Sequence, residues 1–184
     1  MYGLVNGALQ ELLTHRFGEQ EWRVIADRAG VGDEVFMALE GYDDAITYRL
    51  VASACEVTGL EPEKLLIEFG EHWILTTART RYPTLLRAAG LREFLLNLPN
   101  FHARFALTFD HLAPPTFSCS EVEDGSVRVE YRSHRVGLQP FVVGLLRGLA
   151  EHFQTSASVE HIARRGEAGR DHDVFLMRIT AASP

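Results

Sequence analysis

The chain lacks most of what would tie it to a membrane, an oxidising compartment or a nucleic acid. No apolar run approaches the roughly 20 residues that a spanning helix requires. The opening MYGLVNGALQELL carries neither a basic leader nor a small-residue cleavage site, so it does not read as a signal peptide. Cys55 and Cys119 are too few and too far apart for a disulfide framework or a zinc site, which makes a reducing cytoplasm the expected compartment. A net charge of −7 is the wrong sign for the basic face of a nucleic-acid-binding module. There is no repeat, no low-complexity tract and no linker-like stretch. What remains is an ordinary globular composition, 46% hydrophobic and 23% charged, over 184 residues that suffice for one sizeable core.

Periodicity divides the chain. Leu4, Ala8, Leu9, Leu12 and Leu13 recur at helical spacing, Gly18 closes that helix, and Trp22, Ile25 and Ala26 begin another. Residues 44–58 form a third, ended by Gly59, and Pro62 opens a long helix through about Arg79. Shorter helical pieces are expected at 82–89 and 91–97, with Pro99 interrupting before NFHARFALTF resumes. Pro114 and Pro115 force extended chain, and the period then changes from 3.6 to 2. TFSCSEVE and SVRVEYRS, separated by Asp124-Gly125, read as a hairpin. A helix over 138–152 and two further strands, SASVEHIARR and HDVFLMRIT, complete an α+β chain: a helical N-terminal part, then a four-stranded antiparallel sheet with a helix packed on it.

Two features carry chemistry. In the second strand Val127, Val129, Tyr131, Ser133 and Arg135 share one face, so a face that starts as core ends in a phenol, a hydroxyl and a guanidinium. Such a set suits a carboxylate or phosphate. The opposite face, Arg128, Glu130, Arg132 and His134, reads as solvent. Of the eight histidines, His15, His134, His152 and His161 lie in polar surroundings and read as solvated; His111 and His172 sit beside aspartates in turns. His72, next to Trp73, fits a buried or an exposed place. His102 lies among Leu98, Phe101, Phe105 and Ala106 and needs a partner for its ring nitrogens. It is either a hydrogen-bonded core histidine or an axial ligand, since one His suffices where a haem brings four nitrogens. The clamp on the strand would then take the propionates, and Phe69, Trp73, Phe94, Phe117, Phe141 and Leu145 are candidates for the surrounding apolar wall.

The opening MYGLVNGAL, His102, PPTF at 114–117, Tyr-x-Ser-x-Arg at 131–135 and GLL at 144–146 together resemble the haem nitric oxide/oxygen-binding (H-NOX) family over nearly the whole chain. The family includes the haem domain of the soluble guanylate cyclase beta subunit and stand-alone bacterial gas sensors. The resemblance implies a non-enzymatic domain over 1–184, with a helical subdomain to about 65 and haem b held between the two parts. It implies His102 as iron ligand, Tyr131, Ser133 and Arg135 as propionate clamp, Pro115 as the proline that distorts the porphyrin, and Val5, Phe69, Trp73, Phe141 and Leu145 on the distal side. Family members that hold oxygen stably carry a distal tyrosine; here the stretch reads Gln139-Pro140-Phe141-Val142, so a sensor for nitric oxide and carbon monoxide that discriminates against oxygen is expected. Cleavage of the Fe–His bond and haem relaxation would carry the signal to a separate partner, such as a histidine kinase or a cyclic-di-GMP enzyme. An oxygen-binding or redox-responsive haem protein, a haem enzyme using His72, and a haem-free interaction module are the alternatives, and Cys119 is either a small core residue or a redox-active thiol.

Overall fold

In the computed structural model, which describes residues 1–108 and 113–180 (the side chains of Phe105 and Thr108 excepted), helices come first and the sheet last. His111 therefore lies outside the described residues. Helix α1 (Gly3–Phe17) ends at Gly18, whose φ of 95° turns the chain into α2 (Glu19–Ala29). Helix α3 (Asp44–Thr58) starts under Asp43, whose carboxylate accepts the Ala45 N–H at 2.9 Å. Helix α4 (Pro62–His72) has its proline in the first turn, where no amide is needed. These helices share one core, built on Leu9, Leu13, Ile25, Leu50, Leu65 and Phe69.

The long helix read from Pro62 is not uniform. After His72 it widens into a π-helical stretch, Trp73–Ala78, and finishes as a short α5 (Arg79–Arg81), followed by a 3-10 turn at Pro83–Leu86. Pro99, in contrast, interrupts nothing: α6 (Leu91–Thr108) runs straight through it. Leu91, Leu95 and Leu98 are all buried on one face of α6. Burying three leucines contributes about 1.5–3 kcal/mol each, which outweighs the roughly 3 kcal/mol cost of an internal proline.

The strands β1 (Thr116–Glu121), β2 (Val127–Arg132), β3 (Ala157–Ala163) and β4 (Asp173–Ile179) form an antiparallel sheet in the order β1-β2-β4-β3. Helix α7 (Gln139–His152) and α6 pack against it. The register aligns Phe117, Tyr131 and Asp173 in one cross-strand row, and Cys119, Val129, Phe175 and His161 in the next. Val127, Val129, Tyr131, Phe175 and Met177 are all buried, which identifies the core face. The reverse face of β2 is half-buried rather than solvent, because β2 is an interior strand: Glu130 sits between Arg128 at 3.3 Å and Arg132 at 3.4 Å. His161, expected in solvent, stacks on Phe175 at 4.6 Å and reaches Asp173 Oδ1 at 2.9 Å; alternation along β3 turns it inward beneath α7.

The two parts meet most closely where α4 crosses α7. A Cβ on Gly70 or Gly144 would collide with the opposing helix backbone, at Phe141 and Ile67 respectively. An ion pair bridges them elsewhere: Arg135 Nε lies 2.9 Å from Asp44 Oδ1 in the first turn of α3. Burial by itself would raise the Asp44 pKa, but hydrogen bonds from the Met1 amino group, Arg135 and His134 hold it down at about 2. Its stabilising effect is thus complete above the usual carboxylate pKa and is lost as pH falls towards 2. Asp44→Asn is expected to cost roughly 1 kcal/mol at neutral pH, a quarter of the Asp44 side chain being in water. Urea unfolding of parent and variant at several pH values should show that gap closing below about pH 4; a gap independent of pH would refute the assignment.

Candidate cofactor site

One cavity of about 230 Å³ lies between the helical core and the sheet, and most of the residues singled out above surround it. Val5 of α1, Phe69 of α4 and Trp73 of the π-helical stretch line it with Phe141 and Leu145 of α7. Phe94 and His102 of α6, Pro115, and Phe117 of β1 also line it, and Tyr131 and Arg135 are among its polar members. Each contributing helix presents one stripe, which is why positions so distant in sequence converge.

Ser133 is the exception. Strand β2 ends at Arg132, and Ser133 lies in the turn beyond it, outside the cavity lining. Its Oγ accepts the Arg135 N–H at 3.1 Å and is hydrogen-bonded to the Tyr131 side chain. Arg135 therefore reaches the cavity through a turn, closed at Gly137 with a φ of 83°, and not by strand alternation. Pro114, readable as a plain loop proline, lines the cavity beside Pro115.

His102 is the unusual side chain. Its ring lies 4.6 Å from that of Phe117 and 5.2 Å from that of Phe101, and its Nδ1 is buried with no hydrogen-bond partner. Burial pushes the imidazole down to about 4, so it is neutral at pH 7 and free to donate a lone pair. Among the described residues no group of three or more His, Cys, Asp and Glu could hold a metal ion. An iron here would need its other ligands from an organic ring. The residues fit such a group: apolar walls for a macrocycle, one orphaned imidazole for the metal, and a guanidinium for carboxylates. Arg135 is 8% exposed and shared between Asp44 and the Ala113 carbonyl, at 3.2 Å.

Other candidates are set apart. His72 does not line the cavity; its Nε2 lies 3.8 Å from Glu11 of α1. A distal acid–base pair with Trp73 has no geometric basis there. Burial, aided by Glu130, pushes the Cys119 thiol up to about 12, so it is a small core residue and no thiolate. Sequence reasoning missed Tyr2, Thr47, Leu66, Ile74, Leu98 and Leu138, which also line the cavity. The opening Met1-Tyr2 was within reach as a signal, because it directly precedes a helix whose Val5 was selected. Thr47 and Leu138 carried none.

The fold and the cavity together define an α+β domain built to hold a flat cofactor between its helical and sheet parts. The chain belongs to the haem nitric oxide-binding family, whose model, described as Haem-NO-binding, matches residues 2–161. It is 30% identical over 192 residues to soluble guanylate cyclase gcy-35 and 26% identical over 182 residues to gcy-31, both of Caenorhabditis elegans. Those matches cover 96% and 97% of this chain, which spans only about a quarter of either relative (27% and 26%). Among solved structures, an H-NOX protein from S. oneidensis in the Fe(II)NO ligation state superposes with a TM-score of 0.87 at 16% identity, covering 98% of this chain and 100% of that one. A mutant of T. Tengcongensis H-NOX gives 0.88 at 23%, covering 98% of each. These likenesses establish the fold. By that family match the chain is a haem-binding domain. Among the described residues no helix is long and apolar enough to cross a membrane.

Proposed function

We propose that this chain, as one domain over 1–184 with a helical subdomain to about 65, is a sensor for nitric oxide and carbon monoxide that discriminates against oxygen. The observation that carries the reading is a single neutral imidazole, His102, in the largely apolar lining of a cavity that also includes the Arg135 guanidinium. Haem b, when bound, supplies a ferrous iron with an open position for a diatomic gas. The rest is done by the chain. His102 holds the iron through its lone pair, Arg135 and Tyr131 take the propionates, and Ser133 shapes the turn that delivers Arg135. Pro115 would press on a bound ring, and Val5, Phe69, Trp73, Phe141 and Leu145 would exclude water from it.

Discrimination against oxygen rests on the absence of a tyrosine from the start of α7, which reads Gln139-Pro140-Phe141-Val142. Bound oxygen carries partial negative charge that a hydrogen bond stabilises, whereas nitric oxide and carbon monoxide gain much less. Gln139, a hydrogen-bond donor at the start of α7, gives its Nε2 to Asp173 at 3.2 Å and does not line the cavity. The Thr47 hydroxyl is given to Asn6 at 2.6 Å. Trp73 fills space beside Phe69 and Phe141, whose rings lie 4.6 Å apart.

Output follows from what His102 anchors. Helix α6 packs on β1 and β2, and His102 is the residue through which it would be tied to a bound haem. Freed from that link, α6 and the sheet would be able to shift relative to the helical part, a change that a separate partner, such as a histidine kinase or a cyclic-di-GMP enzyme, would read. Gas binding produces output only to the extent that it favours one of two conformations.

The test is the absorption spectrum of the haem-loaded ferrous protein under argon, in air and with nitric oxide. A Soret band unchanged by air that moves to a five-coordinate form with nitric oxide is the expected result. A stable shift in air would refute the discrimination, and absence of any Soret band after haem supply would refute the reading as a whole.

A further inference from the structure

Beside the clamp lies a polar cluster that contributes nothing to the cavity lining and that the sensor reading leaves without a role. Its centre is Asp173, whose side chain is 3% exposed. A buried carboxylate is costly unless every lone pair finds a donor. Asp173 has donors on both oxygens, three in all, from three different segments. His161 Nε2 of β3 approaches Oδ1 at 2.9 Å, the Arg165 backbone N–H donates to the same oxygen at 3.1 Å, and Gln139 Nε2 of α7 donates to Oδ2 at 3.2 Å. His161 is held in turn by its stacking on Phe175.

The position of this carboxylate matters more than its partners. Asp173 lies directly across from Tyr131 in the sheet register, on the core face. The loop it secures carries Arg165, and the Arg165 guanidinium donates to the Ser133 carbonyl at 2.6 Å. Ser133 then receives the Arg135 N–H on its hydroxyl at 3.1 Å. A continuous chain of contacts thus runs from Asp173 through Arg165 and Ser133 to Arg135. A second branch runs through Gln139 to the start of α7, two residues before Phe141 of the opposite cavity wall.

We propose that Asp173 and Arg165 are positioning residues for the carboxylate clamp: the buried Asp173 carboxylate locks the β3–β4 loop and the start of α7, and Arg165 holds the turn at Ser133 so that Arg135 meets a bound propionate. The proposal rests on the haem reading and adds to it the outer contacts that set the clamp. It also gives the buried charge at 173 a purpose: the carboxylate ties three segments together by directional hydrogen bonds that an apolar side chain could not make.

The experiment is haem transfer from the haem-loaded protein to excess apomyoglobin, run beside thermal unfolding of the haem-free protein and resonance Raman spectra of the haem-loaded one. Arg165→Ala removes an exposed guanidinium and is expected to speed haem transfer by about 3–10-fold, the scale of outer-contact losses at metal sites. Its haem-free melting temperature should stay within about 2 °C of the parent. Arg165→Lys should recover part of the rate, because an ammonium can still donate to the Ser133 carbonyl. Asp173→Asn should speed transfer at least as much, and both Arg165→Ala and Asp173→Asn should shift the propionate bending bands. An Arg165→Ala rate within about twofold of the parent, with those bands unmoved, overturns the proposal. So does an Asp173→Asn variant that loses stability without haem yet releases haem at the parental rate, since the carboxylate would then serve the fold alone. A parent that takes up no haem overturns the sensor reading and this proposal together; a parent that holds haem beside an unaffected Arg165→Ala variant overturns the proposal only.

Discussion

His102→Gly is expected to abolish stable haem retention, raising haem loss by more than about 100-fold, because the axial bond exceeds the 10–100-fold effects of outer contacts. Among the described residues no other histidine and no cysteine lines the cavity. The histidine nearest the distal wall in sequence, His72, lies outside the cavity and faces Glu11. The variant should nevertheless fold, since glycine removes an imidazole that makes ring contacts with Phe101 and Phe117 and leaves its Nδ1 without a hydrogen bond. Glycine also opens a space that free imidazole can enter. Added imidazole should therefore restore the Soret band, with no tether between the iron and α6. In that rescued protein nitric oxide should still bind, while the shift of α6 and the sheet relative to the helical part, read by hydrogen exchange, should no longer depend on the gas. Haem retained at parental strength without imidazole would assign the iron to another ligand.

Gly144→Ala is the second large effect, and it acts through packing alone. Helices α4 and α7 approach so closely that the new methyl group would press into the backbone carbonyl of Ile67, with the Cα of Gly70 2.9 Å away. Backbone atoms cannot yield by a rotamer change, so the helices must separate. Overpacking of this kind costs roughly 1–3 kcal/mol, which for a chain of this size lowers the melting temperature by about 2–4 °C per kcal/mol. The separation would also move Phe141 and Leu145 away from Phe69, opening the distal wall to water. We expect a melting temperature lower by several degrees and, in the haem-loaded variant, faster oxidation of ferrous haem in air. A melting temperature equal to that of the parent would show that the crossing has slack.

How much of this was legible beforehand varied with the range of the interaction. Helix and strand order followed from local periodicity, and the boundary at Pro114 and Pro115 from proline chemistry. Pro99 misled for an instructive reason: a local rule about a missing amide was overridden by leucines buried against the rest of the fold. The π-helical widening at Trp73 leaves no periodic trace, since one residue per turn is gained over a single short stretch. His161 reads as polar in a polar strand, and only the sheet order, which puts β4 beside it, turns the ring onto Phe175.

The candidate site divides in the same way. Unaided, the sequence determined which residue types were at hand: a lone histidine among aromatics, a strand ending in hydrogen-bond donors, and helices with one apolar stripe each. It also determined the sheet-and-helix pattern, because secondary structure answers to spacings of 2 and 3.6 residues. The tertiary structure alone decided who meets whom. Arg135 pairs with Asp44 across 91 residues, Asp173 gathers Gln139, His161 and Arg165, and the Ser133 hydroxyl accepts the Arg135 N–H. Such contacts depend on how stripes and strands are stacked in space, and distance along the chain carries no information about that.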